Sequence, residues 1–330
     1  MATKRHHYIS KFYLALFADT TAETQKPSIW VFGKEWSAPR LIAAENAAVQ
    51  THYYSIQTND GQKSDIFEQF LAKNESDTAP ILAQLCQKDF EITGDDRAKI
   101  AVFISLLMQR VPAARDWMEQ LFANLSKQRM KVAARTPGVF EDAAREIEAS
   151  GESLTASAEE IRQFILSDRY VANASPTVSL KMVFHLGPEL AKIITDMRWT
   201  ILKSDEEFIT SDNPVIYTDP DRPHGAWGSA LLSERVELTF PISPVRCLLA
   251  THDMAFYRSV SSLPSRRFSA AVHDYKPQTI FATARPNQVR EINRRTVSRA
   301  TGYVFSSCNT ASIRKFVERH FVKTAAATGS

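Results

Sequence analysis

Cysteine is scarce in this chain: Cys86, Cys247 and Cys308 are odd in number, lie far apart and form no Cys-x-x-Cys pair. That argues against a disulfide framework and a zinc ribbon, and a cytosolic protein is the simplest expectation. Glycine is scarce too, at ten residues in 330. Neither a P-loop nor a Rossmann glycine pattern occurs, which disfavours Walker-type nucleotide hydrolysis and nicotinamide chemistry. His-Glu-x-x-His is missing. Ser243, close to Pro241 and Pro244, lacks the Gly-x-Ser-x-Gly elbow of a nucleophilic serine. No apolar run approaches the ~18 residues of a membrane span, so no membrane partner is expected. The N-terminus is charged, but no apolar stretch of signal-peptide type follows it.

Net charge is small, at +3, and demands no nucleic-acid partner. Its distribution is uneven. From Arg285 onward the chain carries Arg290, Arg294, Arg295, Arg299, Arg314, Lys315, Arg319 and Lys323 against Glu291 and Glu318. Such an end can meet phosphates, or it can be a solvated helix face balancing the acidic middle.

What is present reads as an α+β fold. Residues 7–17 are aromatic and apolar, as a buried strand or a short helix. Ile29–Phe32 has strand propensity and a Gly33-Lys34 turn; His52–Ile56 is a weaker strand candidate. The middle is helical. Ile66, Phe70 and Leu71 repeat at helical spacing, and Arg97–Val111 is apolar on most faces, as a central buried helix. Pro112 interrupts it. Ser157-Ala158-Glu159-Glu160 reads as a capping box that opens another helix. After Trp199 come short strands: Trp199–Leu202, Phe208–Thr210, Val215–Tyr217, Val236–Phe240, Cys247–Ala250, Thr279–Ala282 and Tyr303–Phe305. Helices follow from Pro286 and Thr310. The expected architecture is one domain over residues 1–323, with a mixed or antiparallel sheet from about 6–56 and 199–306. A helical subdomain occupies about 62–198, and residues 324–330 form a disordered tail. Residues 218–235 form a loop of the length that often covers a site.

The most informative stretch is Phe208-Ile209-Thr210-Ser211-Asp212-Asn213-Pro214-Val215. An apolar run stops at polar residues and a proline, then resumes. Asp212 at such a strand end suits a general base or an oxygen ligand for a hard cation. The same residues also suit an Asx or β-turn closed by local hydrogen bonds. His6 and His7 can supply imidazole chemistry near neutral pH. Adjacent residues of an extended chain point to opposite faces, so at most one of them enters a given site, and His7, next to the apolar run, is the better candidate. Tyr8 reads as core. Gln109, Arg110 and Arg115 lie around the end of the buried helix. An arginine there needs a partner: Asp212, a helix C-terminal carbonyl or a substrate phosphate. Asn293 shares a face with Val289, Ile292 and Thr296 and should point inward.

Several of these segments resemble a bacterial family called domain of unknown function 4238. His6-His7-Tyr8-Ile9, with Phe12-Tyr13-Leu14 and Phe17, resembles its opening His-Tyr-Val-Pro-x-Phe-Tyr-Leu-x-x-Phe. Trp30-Val31-Phe32 resembles its first strand, Gln109–Arg115 its helical landmark, 208–215 its most recognisable motif, and Phe240–Pro244 its Pro-Leu-Ser-Pro segment; Asn293 also matches. Ser10 stands where the family usually has proline, and Ala15-Leu16 where arginines are common. The second departure weakens any phosphate site there. The resemblance brings no settled activity, so function rests on site chemistry. The expectation is an enzyme acting on a phosphate-containing small molecule or nucleic acid, a nuclease or nucleotide hydrolase. By analogy alone it would be a toxin or phage-defence effector. His7, Asp212 and Asn213 form the candidate catalytic set, and Gln109, Arg110, Arg115, Ser211 and Asn293 the substrate contacts. A divalent metal such as Mg²⁺ is the candidate cofactor. The alternative is a non-catalytic protein that binds a ligand or nucleic acid.

Overall fold

The computed structural model describes residues 5–51, 53, 56–57, 63–64, 66–150, 156–173, 176–219 and 231–325. The chain divides into two compact units, one of residues 1–113 and 182–330, the other of 114–181. The fold is α+β, with antiparallel and mixed sheets and helices through the middle of the chain.

The first unit opens with β1 (Arg5–His7) and a short helix, α1 (Lys11–Ala15), so residues 7–17 hold a strand end and a helix. Next come β2 (Ser28–Gly33), β3 (Arg40–Ala43), a 3₁₀ turn at Ala44–Asn46, and β4 (Val49–Thr51). β4 pairs with β1, and a two-stranded ribbon of β5 (Ile56–Gln57) and β6 (Lys63–Ser64) follows. Then come α2 (Ile66–Gln87), which runs through Pro80 unbroken, and α3 (Gly94–Arg110). Thr93 and Asp96 form a reciprocal capping box at the start of α3. Val111 is extended at the end of α3, as a residue before proline is driven to be. Nearly every face of the last three turns of α3 is buried.

The second unit is helical. It holds most of α4 (Pro112–Arg135), then α5 (Val139–Ala149) and α6 (Ala158–Ser167). The Ser157–Glu160 capping box is formed as expected: Glu160 N–H donates to Ser157 Oγ at 3.3 Å, and Ser157 N–H donates to Glu160 Oε2 at 2.9 Å. The chain returns to the first unit within α7 (Pro176–Asp196), which contains Pro188.

The rest of the first unit consists of β7 (Arg198–Lys203), β8 (Thr210–Ser211), β9 (Ile216–Thr218), β10 (Glu237–Ser243) and β11 (Arg246–Thr251). Two helices, α8 (Met254–Val260) and α9 (Ser265–Asp274), then precede β12 (Thr279–Thr283), α10 (Pro286–Arg299), β13 (Tyr303–Ser306) and α11 (Ala311–Ala325). A five-stranded sheet has the order β12-β7-β11-β10-β9, with β12 parallel to β7 and the other pairs antiparallel. A four-stranded antiparallel sheet has the order β3-β2-β13-β8, so N- and C-terminal segments do share a sheet. The sequence pattern suggests neither α8 nor α9. The 218–235 loop and the 324–330 tail lie largely outside the described residues, as do parts of His52–Ile56 and of the polar stretch at 151–157.

Tyr13 joins the two sheets. Its buried hydroxyl donates to the Pro241 carbonyl of β10 at 2.7 Å and lies 2.8 Å from Thr210 Oγ1 of β8, and its ring stacks on Phe240 at 5.1 Å. Pro241 sits where β10 bulges and β9 no longer pairs, as a strand-interior proline must. Arg97, 4 % exposed, fastens α3 to the five-stranded sheet. It donates to Thr195 O and Thr279 Oγ1, each at 2.7 Å, and to Met197 O, and its guanidinium lies 4.0 Å from the Trp199 ring centroid. On one face of the four-stranded sheet, Phe32 and Val304 pack with Val297 of α10 and with Val317 and Phe321 of α11.

Candidate functional site

The Thr-Ser-Asp-Asn segment is a buried junction. Thr210 and Ser211 pair with Phe305 and Val304 of β13, and Asp212 N–H donates to Tyr303 O at 2.9 Å. The Asp212 carboxylate is 2 % exposed. It accepts three backbone hydrogen bonds, from Thr301 N at 2.8 Å, Gly302 N at 2.6 Å and Tyr303 N at 3.0 Å. Burial pushes its pKa above the ordinary carboxylate value, while those three donors pull it down. Both oxygens are therefore committed to the turn between α10 and β13. The N–H dipoles point their positive ends at the place where a cation would stand, so the carboxylate does not fit a Mg²⁺ site. Among the described residues, no group of three His, Cys, Asp or Glu side chains gathers as a metal set.

The flanking residues serve the same junction. Ser211 Oγ donates to Asn213 O at 2.9 Å and accepts from Asn213 N at 3.1 Å, the local closure of an ST turn. Asn213 Nδ2 donates to Arg299 O at 3.3 Å, capping the end of α10. Asn293 does point inward: Ile209 N donates to its Oδ1 at 3.1 Å, and its Nδ2 donates to Glu207 O at 2.7 Å. One carboxamide thus holds the backbone on both sides of Phe208.

His7 and Arg110 share a different neighbourhood. Arg110, 1 % exposed, donates to Glu75 Oε1 at 2.7 Å and to Ser10 Oγ at 2.5 Å, and Ser10 Oγ donates to the same Glu75 oxygen at 2.5 Å. Its partner is therefore an internal carboxylate rather than Asp212. Gln109 is buried and donates to Ser105 O at 3.0 Å within its own helix. Arg115 belongs to the second unit, where it lies 3.6 Å from Glu119. His6, not His7, is the fully buried imidazole, 3.6 Å from Glu68. His7 is half-buried, and its Nε2 donates to Glu45 O at 2.9 Å.

Burial lowers the pKa of His7, and the hydrogen bond to the Glu45 carbonyl and the nearby Glu75 charge only partly offset this. A base whose folded pKa is depressed stabilises the fold above the unfolded value of 6.5. That contribution fades as pH falls, because the unfolded chain takes up the proton first. The urea midpoint should therefore drop as pH is lowered below about 6.5, and His7→Asn should flatten this slope. An identical slope in the variant would rule His7 out as the source.

Ser10 stands at φ −57° and ψ 132°, within the φ range a proline imposes. Strand pairing of β1 ends at His7, so a proline there removes no ladder bond. Ser10→Pro should keep the fold and lose only the hydroxyl bonds, about 1–2 kcal/mol in urea unfolding. A collapse of folding would contradict this.

In the His-His-Tyr segment, the Tyr8 hydroxyl is pushed up in pKa by burial and then by the Asp212 charge. Tyr8 is buried, as expected for core, yet it also walls a recess. This recess, of about 270 Å³, opens on the face of the four-stranded sheet opposite α10 and α11. Val31 and Phe305 are register partners, as are Gly33 and Tyr303, so the pleat sends the Val31, Phe305 and Tyr303 side chains to that face. Trp36 and Tyr303 meet edge to face at 5.5 Å. A Cβ at Gly33 would sit 2.5 Å from Trp36 Cδ2, so only glycine lets the indole lie against this turn. Arg40 Cζ lies 4.3 Å from the Trp36 ring centroid on the indole. Ala48, also in the lining, has φ 52°, a left-handed conformation costly for a residue with a Cβ. Its carbonyl accepts from Tyr8 N at 3.1 Å.

Asp212 thus reaches the recess indirectly, by fixing the backbone that presents Tyr303. Trp36, Arg40, Asn46 and Tyr303 were not singled out from the sequence; the one local signal was the Gly33-Lys34 turn. A larger and more open hollow, about 690 Å³, lies at the start of α10 beside Arg285–Gln288, away from these groups.

Of the segments that carried the resemblance, the opening one and the first strand reach this recess, through Tyr8 and Val31, and a family model described as "Protein of unknown function (DUF4238)" matches residues 5–310. The chain belongs to the DUF4238 family. No curated protein and no solved structure matches this DUF4238 chain. None of its described helices is long and apolar enough to cross a membrane.

Proposed function

We propose that this protein binds a small phosphate-containing molecule in the recess beside Trp36, as a binding protein rather than through chemistry at Asp212. The observation that carries this reading is Arg40. Its guanidinium lies against Trp36 at the recess wall and makes no hydrogen bond or ion pair with any described residue. A planar guanidinium supported on one face keeps its in-plane N–H donors for a phosphate or carboxylate. Arg5 adds a second cation nearby, through its 3.2 Å bond to Asn46 Oδ1. Apolar walls with a few convergent polar groups are the usual make-up of a ligand site. A hydrolase or nuclease using this recess would need a base other than Asp212, whose oxygens already serve backbone donors.

The test is calorimetric titration of the full chain with adenosine 5′-monophosphate and with adenosine. The monophosphate is expected to bind at least tenfold more tightly, and Arg40→Ala should abolish that difference. Arg314→Ala, on the opposite side of the sheet, should change nothing. Equal affinity for the two ligands, or retention of the preference in Arg40→Ala, would sink the reading. Gly33→Ala should also weaken binding about tenfold, because the added methyl forces the indole out of place. Unchanged affinity there would mean that Trp36 does not support the site.

A further inference from the structure

The recess has features that a phosphate alone does not require. We infer that it takes one unpaired nucleobase together with the phosphate, so that its ligand is a single nucleotide unit. This rests on the phosphate-binding reading above. Three observations carry it. Four aromatic residues line it: Tyr8, Tyr303 edge to face with Trp36, and Phe305 in register with Val31. A base offers a π-face to such rings whatever its identity. The size is right for one ring system: about 270 Å³ lies just under the usual ~300–1,000 Å³ range of small-molecule sites, too little for a base pair. At the rim, the Asn46 carboxamide has its oxygen occupied by Arg5, which leaves its NH₂ group as a donor for a base carbonyl or ring nitrogen.

The floor supports the same conclusion. Ala47 and Ala48 are both in the lining, and Ala48 holds a left-handed backbone there. Strain of this kind persists where the surrounding structure enforces it, commonly at ligand clamps. The basic helices α10 and α11 cover the other face of the four-stranded sheet, through Phe32 and Val304. Their cations therefore do not extend the recess into a groove for a long strand. The ligand is one nucleotide, either free or at the end of a single strand.

The experiment compares adenosine 5′-monophosphate, ribose 5-phosphate and a 5′-phosphorylated single-stranded decamer, titrated into the wild type and Tyr303→Leu, with circular dichroism confirming the fold. The monophosphate should bind at least fivefold more tightly than ribose 5-phosphate, and Tyr303→Leu should remove that advantage while leaving ribose 5-phosphate unchanged. Fivefold corresponds to about 1 kcal/mol, the low end of a base–aromatic contact. A decamer that matches the monophosphate identifies a strand end as the source. A decamer at least tenfold weaker identifies the free nucleotide. If ribose 5-phosphate binds as tightly as the monophosphate, the base has no place in the recess and the inference fails, while the phosphate reading stands. If neither phosphate compound binds, both fail.

Discussion

Asp212→Ala is expected to lower the free energy of unfolding by about 3–5 kcal/mol. The reason is the number of groups the carboxylate serves. Three backbone N–H donors, those of Thr301, Gly302 and Tyr303, converge on a side chain that is 2 % exposed. Removing the acceptor leaves these donors facing an apolar side chain, and a buried donor without a partner costs about 1–3 kcal/mol. Water entering the vacated space recovers part of this, which is why the expected sum falls below three full penalties. Asp212→Asn should cost less, since one carboxamide oxygen still accepts, but its NH₂ would confront at least one N–H. Urea unfolding of the two variants checks the ranking. A catalytic base would behave in the opposite way, with activity lost and the unfolding midpoint unchanged. An unchanged midpoint in Asp212→Ala would overturn the structural assignment. The same variant should also weaken ligand binding, because the backbone that presents Tyr303 loses its anchor.

The sequence pattern announced the place of this junction without announcing its purpose. Ser, Asp, Asn and Pro at a strand end read equally as a turn and as a site, because both need short polar side chains near the backbone. What decides between them lies 89 to 91 residues away, at Thr301 to Tyr303, and no local window reaches so far. Asn293 was readable because one helical face fixes its direction, and the capping box at Ser157 because both partners lie within four residues. The end of α3 before Pro112 was legible for the same local reason. Pro80 was the opposite case: it sits inside α2 without ending it, since tertiary packing of Leu71, Ile81, Leu82 and Leu85 outweighs the lost bond. α8 is a short helix of seven residues, and its one local mark is a single N-cap, Asp253 accepting from Phe256 N, without the reciprocal partner that marks Ser157. The recess was the least legible feature. Arg40, Trp36 and Tyr303 come from three segments, and only the register of β2 with β3 and β13 brings them together.

The network around Arg110 gives the second large effect, and its asymmetry is the informative part. Arg110 is 1 % exposed, whereas the Glu75 side chain is 25 % exposed. Glu75→Ala removes the carboxylate from a guanidinium that water cannot reach, and should cost about 3–5 kcal/mol. Arg110→Met removes the buried charge itself and fills its space with an apolar chain of similar reach. Glu75 then keeps its bond from Ser10 and its access to water, so this variant should cost clearly less, about 1–3 kcal/mol. The double variant Arg110→Met with Glu75→Met should lie close to the single Arg110→Met value, because replacing both members of a buried pair by packed apolar groups is often near neutral. Urea unfolding of the wild type, Arg110→Met, Glu75→Met and the double variant closes the cycle, with Glu75→Ala measured beside it. If Arg110 were a phosphate clamp, its loss would lower ligand affinity and leave the unfolding midpoint in place, and Glu75→Ala would be nearly silent. Equal costs for the two single variants would mean that burial does not set the balance of this pair.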